Sequence, residues 1–182
     1  MTQSEETSIK RFNTIASEIE EWGAKNFKIH LPRWGVAEET GELVHCLLKR
    51  QQGIRGFDNY NHFRDKLADA IGDTVVYTLH DLKLKGYKII DLPRPEYRPD
   101  LSDADETTDF ISQLVEDVGQ LLAGAEESLS GNEIHDQLLI HMATAASAID
   151  LELLGILEMV WNRVKTRDWT ANPENADKVA EE

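Results

Sequence analysis

Apolar residues recur at intervals of three and four along almost the whole chain, and no stretch alternates as a half-buried strand would. Ile9, Phe12, Ile15, Ala16, Ile19 and Trp22 draw one stripe, which predicts a first helix over residues 5–26. NFKIHLP breaks that pattern, and Pro32 closes the connection. The spacing predicts a second helix over 34–52 that stops at Gly53, then a loop, GIRGFDN, with Asp58 or Asn59 as the cap of the next element. A third helix is expected over 60–85, with Phe63, Leu67, Ile71, Val75 (or Thr74), Thr78 and Leu82 on one face and Gly86 as its stop signal. DLPRPEYRPDLSDADE, with three prolines and many acids, predicts a linker over 93–108.

Beyond it, Phe110, Leu114, Val118, Leu121, Leu122 and Ala125 mark a fourth helix that ends near SLSGN. Ile134, Leu138, Met142, Ala145 and Ile149 mark a fifth. The sixth is expected to start from an Asp150 cap and run through Leu153, Leu154, Leu157, Val160, Trp161 and Val164. The tail after Pro173 is polar and expected to fray. Six helices with mostly short connections predict an all-α antiparallel bundle. We read it as one domain over 1–173, with halves at 5–92 and 109–170 and a polar tail at 174–182. A faint echo runs between the halves: VAEETGELVHCLL resembles LVEDVGQLLAGAE, and KIIDLPRP resembles SAIDLELL. It suggests two helix hairpins, 36–92 and 114–152, in a degenerate repeat, with Gln120 standing where the first copy has Glu42.

Charge adds a constraint. The formal net charge is −15, and a phosphate backbone selects basic surfaces, so nucleic-acid wrapping is disfavoured. Residues 96–136 alone hold twelve acids against one basic residue, Arg98, so the rest of the chain is close to balance. A local site for a nucleotide triphosphate stays open if divalent cations screen the repulsion. Cys46 is the only cysteine, which excludes an intrachain disulfide and fits a reducing compartment. The polar, acidic opening MTQSEETSIKRF predicts no signal peptide, and no apolar run reaches membrane-spanning length. These readings predict a cytoplasmic protein.

The candidate chemistry lies in carboxylates. On a helix Glu38, Glu39 and Glu42 share one side, as do Asp69 and Asp73 on the next helix. If the two helices pack antiparallel, these acids converge, and hard anionic oxygens in one place call for Mg²⁺ or Mn²⁺. Acids at this spacing on a single amphipathic helix are more often just a solvated face. Two features lower that weight: Gly41 beside Glu42 and Gly72 beside Asp73 suggest close helix approach at that level, and Asp69 and Asp73 flank the apolar Ala70 and Ile71. The histidines offer nothing sharper, since His45 and His80 are isolated and His135 and His141 are six apart. Cys46, without a histidine partner, reads as a small core residue.

EETGE followed by DAIGD, with RQQGIRG between them and WNRVKTRDW near the end, resembles the MazG-like all-α nucleoside triphosphate pyrophosphohydrolase superfamily. The resemblance covers roughly 10–90 and 150–173; EExxE alone is unspecific, and its combination with the other two elements is what carries the likeness. It implies a MazG-like helix bundle, a homodimer, and Mg²⁺-dependent cleavage between the α- and β-phosphates. Carried over by position, Glu39, Glu42 and Asp73 match metal ligands, and Glu38 is either a ligand or the residue that orients the attacking water, with Glu38 and Glu39 as the catalytic pair. The sequence departs from the family at Ala70, where the first acid of ExxD is missing; Asp69, four residues before Asp73, is the candidate substitute ligand. Lys49 and Arg55 form one basic set for phosphate, and Arg163, Lys165 and Arg167 another, from which we single out Lys165 and Arg167. Basic residues also favour helix C-termini for dipole reasons alone. Trp34 and Trp169, at element ends, are the candidates to stack a base, ahead of Trp22 and Phe27, and Asn26 and Asn172 are candidate readers of a base edge or sugar. The alternative is a catalytically silent member of the same type, a helical binding or assembly protein.

Overall fold

The third helix is the axis of the molecule. In the computed structural model, which describes residues 3–26, 31–89, 91–124 and 132–171, the described residues form six helices and no strand. They are α1 (Gln3–Asn26), α2 (Leu31–Gln52), α3 (Tyr60–Leu84), α4 (Ala104–Leu122), α5 (Glu133–Ala148) and α6 (Leu153–Val164). α3 packs against α1, α2, α5 and α6, while α4 lies against α2 and α5. The periodicity marked one apolar face on α3, yet Ala68, Ala70, Val76 and Leu79 are buried on other sides as well. A helix enclosed by four neighbours needs small or apolar residues nearly all round, which a single-stripe reading understates. No single helix among the described residues is long and apolar enough to cross a membrane.

Three boundaries differ from expectation. α2 begins at Leu31, so Pro32 lies in its first turn, where the missing N–H removes no helical bond, and does not close a connection. The acids of SDADE belong to a helix and not to a linker: Asp103 caps α4, accepting from the backbone N–H groups of Asp105 at 2.9 Å and Glu106 at 3.0 Å. Negative charge there also complements the helix dipole. Asp150 is not the cap of α6. It takes a left-handed φ of 57° and pairs with Arg98 at 2.7 Å, and Glu152 stands at the cap position without a side-chain bond.

Between α2 and α3 the turn is held from both sides. Of the two candidate caps, Asn59 is used, accepting from Asn61 N–H at 2.9 Å and His62 N–H at 3.2 Å. Arg50 donates from Nη1 to the carbonyls of Phe57 and Asp58, both at 2.9 Å, and lies over the Phe63 ring. The hairpin it closes is antiparallel, bringing Gly35 beside Tyr77 and, in the middle, Glu39 and Glu42 beside Asp73 and Asp69. The glycine expectation is half corrected. Gly41 faces open space, so it does not mark a close approach. At Gly72 a Cβ would stand 2.3 Å from Val160, so the contact that requires glycine there is with α6, not α2. The α2 glycine that does face α3 closely is Gly35, where a Cβ would meet the Tyr77 ring at 2.3 Å.

The second hairpin, α4 with α5, follows the register of the echo. Val36, Thr40 and Leu43 are buried, as are Leu114, Val118 and Leu121 at the matching positions, and Gly119 faces open space as Gly41 does. The charge differs: Asp117, at the position of Glu39, lies 2.8 Å from His141 Nε2.

Candidate active site

The antiparallel hairpin fixes which acids meet. α2 contributes Glu38 and Glu42, both exposed, and the half-buried Glu39; α3 contributes the half-buried Asp69 and Asp73. Burial, and then the charges of Asp73, Glu42, Glu38 and Asp69, push the Glu39 carboxyl up to about 8. The other four predicted acids therefore all act on Glu39 at the α2–α3 seam. Asp73 is raised to about 6 by burial and by Asp69, against the opposing pull of Arg163 and Arg167. Five carboxylates facing two guanidinium groups leave negative charge in excess, and a buried carboxylate answers such an excess by holding its proton.

Position 70 explains the departure from the ExxD pattern. Ala70 is buried in the core, and its carbonyl accepts from Thr74 Oγ1 at 2.8 Å. Asp69 shares the seam with Asp73: Nη2 of Arg163, from α6, touches Asp69 Oδ1 and lies 3.3 Å from Asp73 Oδ2. Burial lowers the affinity of the Arg163 guanidinium for its proton, but the hydrogen bond it donates to Asp69 and the charges of Asp69, Asp73 and Glu39 more than restore it.

The predicted binding residues divide. Arg167 acts electrostatically on both Asp73 and Tyr77, so it stands at the site. Lys49, Arg55 and Lys165 are not among the main charges acting on Glu39 or Asp73. Lys49 Nζ donates to Gln52 Oε1 at 3.0 Å near the far end of α2, Arg55 is exposed in a left-handed turn at φ 58°, and Lys165 is the exposed C-cap of α6. Trp34 is 65% exposed in the first turns of α2. Trp169 is half-buried, edge-on to Trp22 with centroids 5.0 Å apart. Asn26 serves as a clamp, accepting from Trp169 N–H at 2.9 Å and donating to the Trp22 carbonyl at 3.0 Å. Together with Trp22 Nε1–H donating to the Arg167 carbonyl at 3.0 Å, this ties the chain after α6 to the end of α1. Phe27 and Asn172 lie outside the described residues.

Two neighbours of the acids were not singled out from sequence. Arg163 belonged to a basic cluster in which nothing distinguished it from Lys165 and Arg167. Tyr77 follows Asp73 by four residues and so lies on its face, a spacing that was available in the sequence. Its hydroxyl is pushed well above the usual range by burial and by Glu39, Glu38 and Asp73, so it stays a hydrogen-bond donor. Cys46 is buried with its thiol raised to about 11 by burial and the Glu42 charge, which makes it unreactive.

Two turns further along α3 a second charged centre appears, one that sequence reading passed over with the histidines. Asp81, 4% exposed, accepts from Nε2 of fully buried His135 at 2.8 Å, from Lys85 Nζ at 3.0 Å and from Arg33 Nε at 3.3 Å. Burial alone would raise its pKa, but His135 and Lys85 hold it at about 2.

A cavity of about 750 Å³ lies away from the acids, among α1, residues 89–94 and α5, with Ile9, Ile89, Leu92, Leu139 and Ile140 in its walls. Its arginine, Arg94, is paired with Glu5 at 2.5 Å. The uncompensated negative charge lies at the α2–α3 seam. The donor set, carboxylate oxygens only, is that of a hard cation such as Mg²⁺, and the raised Glu39 and Asp73 show charge left for one to balance. Among the described residues, no three acid, histidine or cysteine side chains stand together as a ready-made metal cage. Mg²⁺ keeps several waters and is commonly held by one or two carboxylates plus phosphate oxygens, so this arrangement fits it.

Comparison with family models, curated proteins and solved structures finds no match for this chain. The functional reading therefore stands on the residues and their geometry.

Proposed function

We propose that the protein is a Mg²⁺-dependent nucleoside triphosphate pyrophosphohydrolase of the MazG-like type, converting a (d)NTP to the monophosphate and pyrophosphate. The observation that carries the proposal is Glu39, held at about 8 among four other carboxylates on a seam open to solvent at Glu38 and Glu42. The combination of EETGE, QGIRG, DAIGD and RDW in one chain supports the same reading.

In this reading Glu39, Glu42, Asp69 and Asp73 are the candidate ligands, of which one or two at a time would hold Mg²⁺, or Mn²⁺ in its place, the phosphate oxygens and waters supplying the rest. The bound ion supplies charge neutralisation of the phosphates and a lowered pKa for coordinated water. Glu38, exposed at the rim, would orient the attacking water and take its proton, with Glu39 beside it as the second acid of the pair. Arg167 faces the phosphates from the α6 side, with Lys49, Arg55 and Lys165 as more distant charges, and Trp34 offers its open face to a base. Trp169 frames the site through the Trp22 cluster. The reading places the enzyme in the cytoplasm as a homodimer, acting in nucleotide-pool housekeeping with no nucleic-acid or membrane partner.

A second reading, a catalytically silent binding or assembly protein of the same type, is favoured by one observation: Arg163 already pairs with Asp69 and Asp73. A panel of NTPs and dNTPs with Mg²⁺ and pyrophosphate detection separates the two. The enzyme reading expects release from at least one nucleotide and its loss in Glu42→Gln. No release from any nucleotide, or full activity in Glu42→Gln, overturns it.

A further inference from the structure

We propose that Arg163 is a resident counter-ion, which holds the seat between Asp69 and Asp73 when no divalent cation is bound and yields it on binding, turning to the polyphosphate. The inference rests on the metal reading of the preceding section and adds a residue and a direction of exchange to it.

Three observations carry it. Nη2 of Arg163 is shared between the two α3 acids, touching Asp69 and lying 3.3 Å from Asp73. Those acids are the pair that the α2–α3 seam presents opposite Glu39 and Glu42, so a cation that uses either must compete with the guanidinium. The pair is also not locked: the Arg163 and Asp69 side chains are 39% and 37% exposed, and Arg163 Nε is buried with no hydrogen-bond partner. An arginine with a free donor and a solvent route beside it is poised to re-pair. Asp81 shows the contrast, since Arg33, Lys85 and His135 surround a carboxylate that is 4% exposed. A planar guanidinium is also suited to phosphate, which it binds by two parallel N–H bonds. One side chain can thereby serve as placeholder in the cation-free protein and as phosphate ligand in the loaded one.

Exchange has a signature that simple electrostatics lacks. Arg167 also acts on Asp73, but through charge alone and without contact. Removing either arginine deletes one positive charge beside the acids; only removing Arg163 deletes a competitor for the seat. Mn²⁺ binding, followed by electron paramagnetic resonance without nucleotide, is the test, using wild type, Arg163→Met and Arg167→Met. The expected result is affinity about fivefold higher in Arg163→Met, the size of a part-exposed ion pair, and about twofold or less in Arg167→Met. Equal gains in the two variants, or no gain in Arg163→Met, overturn the exchange while leaving the metal site standing. Absence of Mn²⁺ binding in all three proteins overturns the metal reading itself, and the exchange with it. Nitrogen-15 spectra of the arginine side chains in wild type, with and without Mg²⁺, give an arm that needs no variant. A change in the Arg163 Nε–H resonance on adding Mg²⁺ supports the exchange, and an unchanged resonance at saturating Mg²⁺ overturns it.

Discussion

Asp73 and Asp81 lie two turns apart on the same helix, and their surroundings are opposite. Asp81 is the more deeply buried, yet it is held at about 2 because the hydrogen bonds and charges of His135 and Lys85 outweigh its burial. Asp73 is raised to about 6 because burial, and then the charges of Asp69 and Glu42, outweigh the arginines that face it. A buried charge with its partners in place is part of the architecture. One left short of partners is a cost that folding alone does not explain, and perturbed groups of that kind concentrate at functional sites. The second hairpin repeats the lesson on a smaller scale, since Asp117, where the first has Glu39, is answered by His141.

Substitutions should separate the two centres, and the largest effect is expected at the satisfied one. Asp81→Ala strands Arg33, Lys85 and the buried His135 around a void and should lower unfolding free energy by about 3–5 kcal/mol, measured by urea denaturation at neutral pH. The sign with pH follows from its depressed pKa: the stability it provides is present above about 3.8, its ordinary value, and is lost as pH falls through about 2. Asp73→Asn should do the reverse. It removes an unfavourable charge, so stability holds or rises slightly, while pyrophosphate release falls on the order of 100-fold. If Asp73→Asn unfolds the protein as Asp81→Ala does, the contrast between them collapses.

Glu39 gives the next effect, with opposite pH sign to Asp81. Its carboxyl titrates near 4.5 when unfolded and near 8 when folded, so its unfavourable contribution is absent below about 4.5 and grows as pH rises to about 8. Without divalent cations, Glu39→Gln should therefore match wild type in stability at pH 4 and exceed it at pH 8.5. Discounted for the partial exposure of Glu39, the difference is about 1–2 kcal/mol. Equal stability at both pH values would remove the charge excess from the account. The smallest effect is expected among the basic residues: Lys49→Ala should change pyrophosphate release less than about threefold, while Arg167→Ala should raise KM about tenfold. The reverse order would relocate the phosphates toward the far end of α2.

How much of this was legible in the sequence follows from which interactions are local. Helical period, the Asn59 cap region and the placing of Glu38, Glu39 and Glu42 opposite Asp69 and Asp73 depend on spacing along one helix or across one short turn, and the other four acids act on the charge of Glu39. The cap of α6 did not follow, because Asp150 is drawn to Arg98, a partner 52 residues away. DADE was read as linker because its acids resemble solvated coil, whereas they cap and open α4. Gly41 and Gly72 looked alike in sequence, and only the position of α6 distinguishes the open one from the one pressed against Val160. The Asp81 centre was out of reach for the same reason. Arg33, Lys85 and His135 come from three different segments, and no motif connects them.

The central claim is that the α2–α3 seam carries a charge deficit which a divalent cation fills. The direct measurement is the melting temperature at pH 8 with and without 10 mM Mg²⁺, on wild type and Asp73→Asn. For millimolar affinity, linkage predicts a rise of about 3–5 °C in wild type and almost none in the variant, which starts from an equal or higher melting temperature without Mg²⁺. A wild-type melting temperature indifferent to Mg²⁺, or a rise fully kept by Asp73→Asn, would contradict the account.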